Sequence, residues 1–138
     1  MNRIVSLATA FAIGLTAYAA SVWSQPLIPQ HYDVIKAMQT AGRKVYADHC
    51  AVCHAQKAGA LAIGPDLNGV VNRAAGSAAG FPYSDALKNS GLTWTEANLE
   101  KWIADPSHLV PNTLMPHVSL GDPAERIYVI EYLKLLKP

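Results

Sequence analysis

The chain has 138 residues, of which 51% are hydrophobic and 15% charged, and its net charge is +1. That length suits one domain. The near balance of 11 basic against 10 acidic side chains excludes the basic stripe of a nucleic-acid binder and the basic face of a helix that adheres to anionic lipid.

Met1-Asn2-Arg3 carries one positive charge and leads into Ile4–Trp23, a stretch of apolar and small residues without an ionisable side chain. This pattern reads as an export signal, with small-x-small cleavage sites at Ala17-Tyr18-Ala19 and Val22-Trp23-Ser24. The competing reading is an uncleaved anchor, because about 20 apolar residues can span a bilayer. Ser6, Thr9, Gly14, Thr16 and Ser21 dilute the run and favour cleavage. The chain therefore divides into a signal segment at 1–24, an extension at 25–37 with two prolines near its start, and a folded domain at 38–138. Losing Arg3 with the signal leaves ten basic against ten acidic side chains.

From about Tyr32 to His49, apolar positions at Val34, Ile35, Met38, Val45 and Tyr46 predict a helix that Gly42 weakens locally. It runs into Cys50-Ala51-Val52-Cys53-His54, which contains the only two cysteines of the chain. A thioredoxin-like pair needs a strand-and-helix context that the flanking residues lack, and zinc needs further ligands where no other cysteine exists. Covalent haem attachment uses these residue types at this spacing: two thiols reach the two vinyl groups, and the adjacent imidazole meets the iron. Idle thiols in an oxidising compartment have no comparable explanation.

Ala55 to Gly80 is rich in Gly, Ala and Asn and reads as loop around a cofactor edge. Ser84 to Asn89 predicts a short helix ended by Gly91, and Thr95-Glu96 through Ala104 a longer one. The latter has Thr93 or Thr95 as cap, Leu99, Trp102 and Ile103 as its buried side and Asp105-Pro106 as its stop. Pro111, Thr113 and Pro116 make a stiff loop around Met115, where a thioether ligand and an ordinary core filler are both open readings. His108 and His117 are rival ligands. A last helix is expected from about Pro123 to Leu136, capped by Asp122, with Ile127, Val129, Ile130, Leu133 and Leu136 on its apolar side.

Residues 42–135 resemble a class I cytochrome c of the mitochondrial or bacterial c2 kind. The resemblance is carried by Gly42-Arg43-Lys44-Val45-Tyr46, Gly64-Pro65-Asp66-Leu67-Asn68-Gly69, Gly80-Phe81-Pro82-Tyr83-Ser84-Asp85-Ala86, Gly91-Leu92-Thr93-Trp94, Pro111-Asn112-Thr113-Leu114-Met115 and Glu131-Tyr132-Leu133-Lys134. It implies an all-α fold of three to five helices and loops around one covalent haem c, with His54 and Met115 as the axial iron ligands. It further implies a Pro65 carbonyl that orients His54, and Arg73, Tyr83, Trp94 and, less directly, Thr113 as partners of the haem propionates. Gly42 and the aromatic Tyr46 should face the C-terminal helix.

The departures from the family pattern are specific. Trp102 stands where the family commonly has a tyrosine near the methionine sulfur, Leu87 replaces an asparagine of the buried water network, and His117 replaces an aromatic over the haem front. Ser107, His108 and Leu114 take positions where mitochondrial forms carry lysines, so docking by a strong positive patch is not expected.

The resemblance implies a periplasmic, monomeric one-electron carrier and not an enzyme, with redox proteins as partners: a dehydrogenase, an oxidase or a membrane cytochrome complex. Contact with the membrane is expected only if the N-terminal segment stays attached. A dedicated cytochrome subunit of a periplasmic dehydrogenase or oxidase complex is the alternative, and a haem enzyme or gas sensor with an open iron site is the third reading.

Overall fold

The computed structural model describes residues 31–54, 63–116 and 120–137; the signal and linker readings on residues before His31, and His117, lie outside them. Among these residues, five helices follow in chain order: α1 (His31–His49), α2 (Asp85–Lys88), α3 (Glu96–Ala104), α4 (Pro106–Leu109) and α5 (Pro123–Leu133). Among the described residues no strand forms, and the one bridge, between Ala74 and Thr93, is isolated.

Four of these helices start on a side-chain cap. Ser84, Thr95, Asp105 and Asp122 each accept a bond from a backbone N–H in the first turn, and Pro106 and Pro123 occupy first helical positions that need no donor. Thr95 rather than Thr93 is thus the cap of α3, accepting from the Asn98 N–H at 3.2 Å. Asp105 stops α3 as expected but also begins α4, a single turn absent from the sequence reading because Asp105-Pro106 is both a stop and a start signal.

The helices α1 and α5 form the principal pair, with α3 against α5 and α4 against α3. Gly42 permits the main crossing: a Cβ there would lie 1.8 Å from the Tyr128 carbonyl oxygen of α5. One turn on, Tyr46 meets Tyr132 with ring centroids 5.3 Å apart, and the Arg43 guanidinium lies 5.6 Å from the Tyr132 ring centre. Two ion pairs join α3 to the α5 end of the chain, Glu96 with Lys134 at 2.9 Å and Glu100 with Arg126 at 2.8 Å.

Helix α5 differs from expectation at both its end and its face. It closes at Leu133, after which Leu135 and Leu136 bond to Tyr132 and Leu133 in tighter three-residue steps, and the Leu136 carbonyl accepts the Gly69 N–H at 2.8 Å. Ile127 is 46% exposed, whereas Val129 through Leu133 are consecutively buried. That run is enclosed from several sides, by Tyr46 of α1, by Lys134's partner on α3 and by the walls of a large central cavity, so a single apolar stripe does not describe it.

The α1–α5 crossing yields a direct expectation. Gly42→Ala places a methyl inside the van der Waals radius of a backbone carbonyl, and the helices must separate to admit it. The loss should be at least about 3 kcal/mol, read as a fall in the denaturant midpoint of the holoprotein with little change in helix content before the transition.

Candidate haem site

The end of α1 continues as a turn that presents the cysteine motif. Cys50 N–H and Ala51 N–H both donate to the Tyr46 carbonyl at 2.9 Å, and Cys53 and His54 N–H groups donate to the Cys50 carbonyl at 3.1 and 2.8 Å. Residues related by three and four places share one side of such a turn, so both thiols and the imidazole face the same space. The Tyr46 hydroxyl donates to the His54 carbonyl and ties the end of the motif back to the helix.

That space is a cavity of about 610 Å³ in the middle of the molecule, lined by Cys50, Cys53 and His54 on one side and by Thr113, Leu114 and Met115 among other residues. Core residues Val70, Leu87, Trp94, Leu99, Trp102, Ile103, Val129 and Leu133 form its apolar wall, so the same side chains serve as protein core and cavity lining. Native interiors leave few voids larger than a water molecule. A cavity this large and this apolar is built for an occupant.

His54 is held on its far side. Its Nδ1 lies 2.8 Å from the Pro65 carbonyl, which can only accept, so Nδ1 carries the proton and Nε2 keeps its lone pair. Burial holds the imidazole pKa below its ordinary value, opposed by the bond to Pro65, and the ring is neutral and available as a ligand. Gly64 backs the ring so closely that a Cβ would fall 2.6 Å from His54 Cε1. Its N–H donates to the Cys53 carbonyl at 2.8 Å, which closes the segment onto the motif. Cys50 and Cys53 form no disulfide with each other, which leaves both sulfurs available for attachment, and before attachment burial, with the neighbouring Cys53 adding to it, pushes the Cys50 thiol up to about 11.

Met115 occupies the segment between α4 and α5. Val110 is buried and bonded to Pro106, Thr113 N–H donates to the Val110 carbonyl at 3.2 Å, and Met115 N–H donates to Thr113 Oγ1 at 3.3 Å. Asn112 takes a positive φ of 65° at the bend, a conformation that asparagine tolerates. The Trp102 indole Nε1–H donates to Met115 Sδ at 2.9 Å. The replacement of the family's tyrosine therefore keeps a donor on the sulfur, and Trp102 itself is wedged against Trp94 with ring centroids 5.0 Å apart.

Arg73, Tyr83, Trp94 and Thr113 all line the same cavity, as does Leu87. Arg73 donates through Nη1 to the Asn68 carbonyl at 2.8 Å and through Nη2 to the Asp66 carbonyl at 2.9 Å. Its Nε is buried with no protein acceptor, the kind of orphaned donor that a buried carboxylate would satisfy. Burial raises the Tyr83 phenol, keeping it a protonated donor, with Arg73 opposing the shift. His108 sits on α4 with its N–H bonded to Asp105 and is not among the lining residues, so of the sequence candidates for the sulfur's role that the structure describes, only Met115 is brought to the cavity. The residues fit haem c: two thiols and an imidazole on one turn, a thioether in the lining, an apolar wall, and buried donors for its carboxylates.

Sequence reasoning missed Tyr46 as part of this site. A helix-facing aromatic was expected there, but the bond from its hydroxyl to the His54 carbonyl was not, and an aromatic carrying a hydroxyl eight residues before the motif's histidine is the only signal that could have suggested it.

Fold and cavity together define a protein built around a covalently attached porphyrin. A family profile described as Cytochrome c matches residues 39–137. Cytochrome c2 of Rhodoblastus acidophilus is 49% identical over 98 residues, 70% of this chain and 91% of that protein. Cytochrome c2 of Rhodomicrobium vannielii is 43% identical over 118 residues, 83% of this chain and 87% of that protein. Among solved structures, cytochrome cH from Methylobacterium extorquens superposes with a TM-score of 0.65 at 44% identity, covering 70% of this chain and 97% of the other. The chain belongs to the cytochrome c family, of the class I, c2-like kind. It is a monohaem electron carrier with one covalent haem c, and Cys50-Ala51-Val52-Cys53-His54 fits the attachment motif.

The contact behind His54 can be tested alone. Gly64→Ala should push the imidazole off its bond to Pro65 and destabilise the holoprotein by about 1–3 kcal/mol, seen as a lower denaturant midpoint together with a smaller fraction of six-coordinate haem after maturation.

Proposed function

We propose that this protein is a periplasmic, monomeric one-electron shuttle, not an enzyme, in which His54 and Met115 would ligate the haem iron and Cys50 and Cys53 would fasten the macrocycle. The observation that carries this reading is the pairing of two constrained ligands in one cavity: a neutral His54 fixed by Pro65 and Gly64, and a Met115 thioether fixed by Trp102 and Thr113. When bound, the haem supplies a centre that cycles between ferric and ferrous states. The protein's part is to keep both coordination positions filled by side chains that do not leave, so no site remains for a substrate. A neutral sulfur favours the ferrous state and raises the potential. The Trp102 N–H draws electron density from that sulfur and acts in the same direction. Arg73, Tyr83, Trp94 and Thr113 are proposed to hold the propionates, and Arg73 Nε is the donor left without a protein acceptor.

The periplasmic reading rests on the uncharged apolar stretch Ile4–Trp23 after a basic start. Among the described residues no helix is long and apolar enough to cross a membrane. Partners are proposed to be other redox proteins that dock transiently at an exposed haem edge. Val52, Ile63 and Leu114 are 76%, 75% and 75% exposed, the first between the two cysteines and the other two in the cavity lining. Side chains of this kind favour short-range apolar contact over long-range steering by charge.

The ligation is tested by Met115→Ala. The wild-type ferric protein should show a methionine–sulfur charge-transfer band that the variant lacks, and the reduced variant should bind carbon monoxide rapidly where the wild type does not. A band that survives the substitution would sink the assignment. Electron transfer to a redox partner should change less than about tenfold between low and high ionic strength, and a steep fall with salt would contradict the weakly charged docking face.

A further inference from the structure

Arg126 makes a set of bonds that packing of α5 does not require. Its side chain is 12% exposed, and Nε donates to Glu100 Oε1 of α3 at 2.8 Å. Its Nη1 donates to the Leu120 carbonyl at 2.7 Å and to the Gly121 carbonyl at 3.0 Å. Leu120 is 2% exposed. Two positions beyond Glu100 on α3 is Trp102, the residue that donates to Met115 Sδ. The connections therefore run from Arg126 to Glu100, along α3 to Trp102 and across to the Met115 sulfur, while Nη1 of the same guanidinium holds the Leu120 and Gly121 carbonyls.

We propose that Arg126 is a positioning residue for Met115, locking the helix that carries the sulfur's hydrogen-bond donor to the backbone at Leu120 and Gly121. The proposal rests on the reading of Met115 as an iron ligand. A helix is stiff over the half turn from Glu100 to Trp102, so fixing Glu100 fixes where the indole N–H can sit. The guanidinium holds the two carbonyls through Nη1 while Nε holds the Glu100 carboxylate, in a planar fork whose donor directions are fixed; an ammonium is a point charge on a flexible stem and holds no such fixed directions. For comparison, Glu96 and Lys134 join the same two parts of the fold at 2.9 Å from the first turn of α3, Lys134 pairs with Glu131 as well, and neither holds the Leu120 or Gly121 carbonyl.

The experiment uses matured ferric holoprotein and imidazole as an external ligand that displaces the thioether, followed through loss of the methionine–sulfur charge-transfer band. Arg126→Gln and Glu100→Gln should each bind imidazole about tenfold more tightly than wild type, the effect expected from losing a charge-assisted hydrogen bond. Arg126→Lys should fall between them and wild type. Glu96→Gln should stay within about twofold of wild type, even where its thermal midpoint drops as far as that of the other variants. If Arg126→Gln fails to mature, Arg126→Lys and Glu100→Gln decide the matter. Imidazole affinity unchanged in the Arg126 and Glu100 variants, or raised equally by Glu96→Gln, overturns the proposal. Failure of the ligation reading would look different, because the wild type would then show no charge-transfer band at all.

Discussion

The structure depends on filling one apolar cavity. Val70, Trp94, Leu99, Trp102, Val129 and Leu133 are buried, yet each also faces about 610 Å³ of interior space, so the protein's own side chains do not make a closed core. In most small domains, helix faces meet and exclude water between them. Here α1 and α5 meet at Gly42, but α2, the loops and the Met115 segment are organised around a common hollow. Covalent haem attachment resolves this by making the missing part of the core a piece of the chain. The dispersion attraction that a hollow denies its lining is supplied by the macrocycle, with no binding equilibrium to maintain.

The constraint on the occupant begins at the crossing of α1 and α5. The lack of a side chain at Gly42 lets α5 approach, which sets Tyr46 against Tyr132, and the Tyr46 hydroxyl then holds the His54 carbonyl. The helix contact and the turn that carries Cys50, Cys53 and His54 are thus successive steps along the chain. From the other direction, Gly64 and Pro65 close on the His54 ring and choose its tautomer. One side of the cavity is made rigid by backbone geometry. The opposite side is held by side chains: an indole on the sulfur, a hydroxyl on the Met115 N–H, and a guanidinium on the returning chain.

What the sequence revealed tracked the strength of the local signal. Cys50, Cys53 and His54 were legible because few chemistries need two thiols and an imidazole at that spacing, and α3 was legible because Thr95 and Asp105 bracket an apolar stripe. Gly42 was legible through its relation to Tyr46. The turn α4 was not, because four residues contain too little periodicity to separate a helix from a stop. Ile127 was placed on the wrong side because periodicity assumes one buried stripe, while the end of α5 is enclosed from several directions. Trp102 was legible as the residue at the family's tyrosine position near the methionine sulfur, but whether its indole reaches that sulfur needed coordinates, which put Nε1 2.9 Å from Met115 Sδ. Arg126 was silent for the same reason, since its partners lie 26, six and five residues away and a lone arginine near a helix start has no pattern.

An electron carrier has a demand that an enzyme does not share. Its two redox states should differ as little as possible in structure, because every atom that must move raises the barrier to transfer. Rigid backbone on the histidine side meets that demand by leaving the imidazole no alternative position. On the methionine side the proposed ligand sits in a connecting segment, which by its nature has more freedom than a helix. Trp102, in place of a tyrosine, brings a larger donor ring that packs against Trp94 with centroids 5.0 Å apart, a contact that restrains its indole N–H. With Leu87 in place of a polar side chain in the same lining, fewer protein dipoles are left to reorient. The two departures at Trp102 and Leu87 therefore share one direction, towards a pocket with less polar freedom to respond to a change of charge.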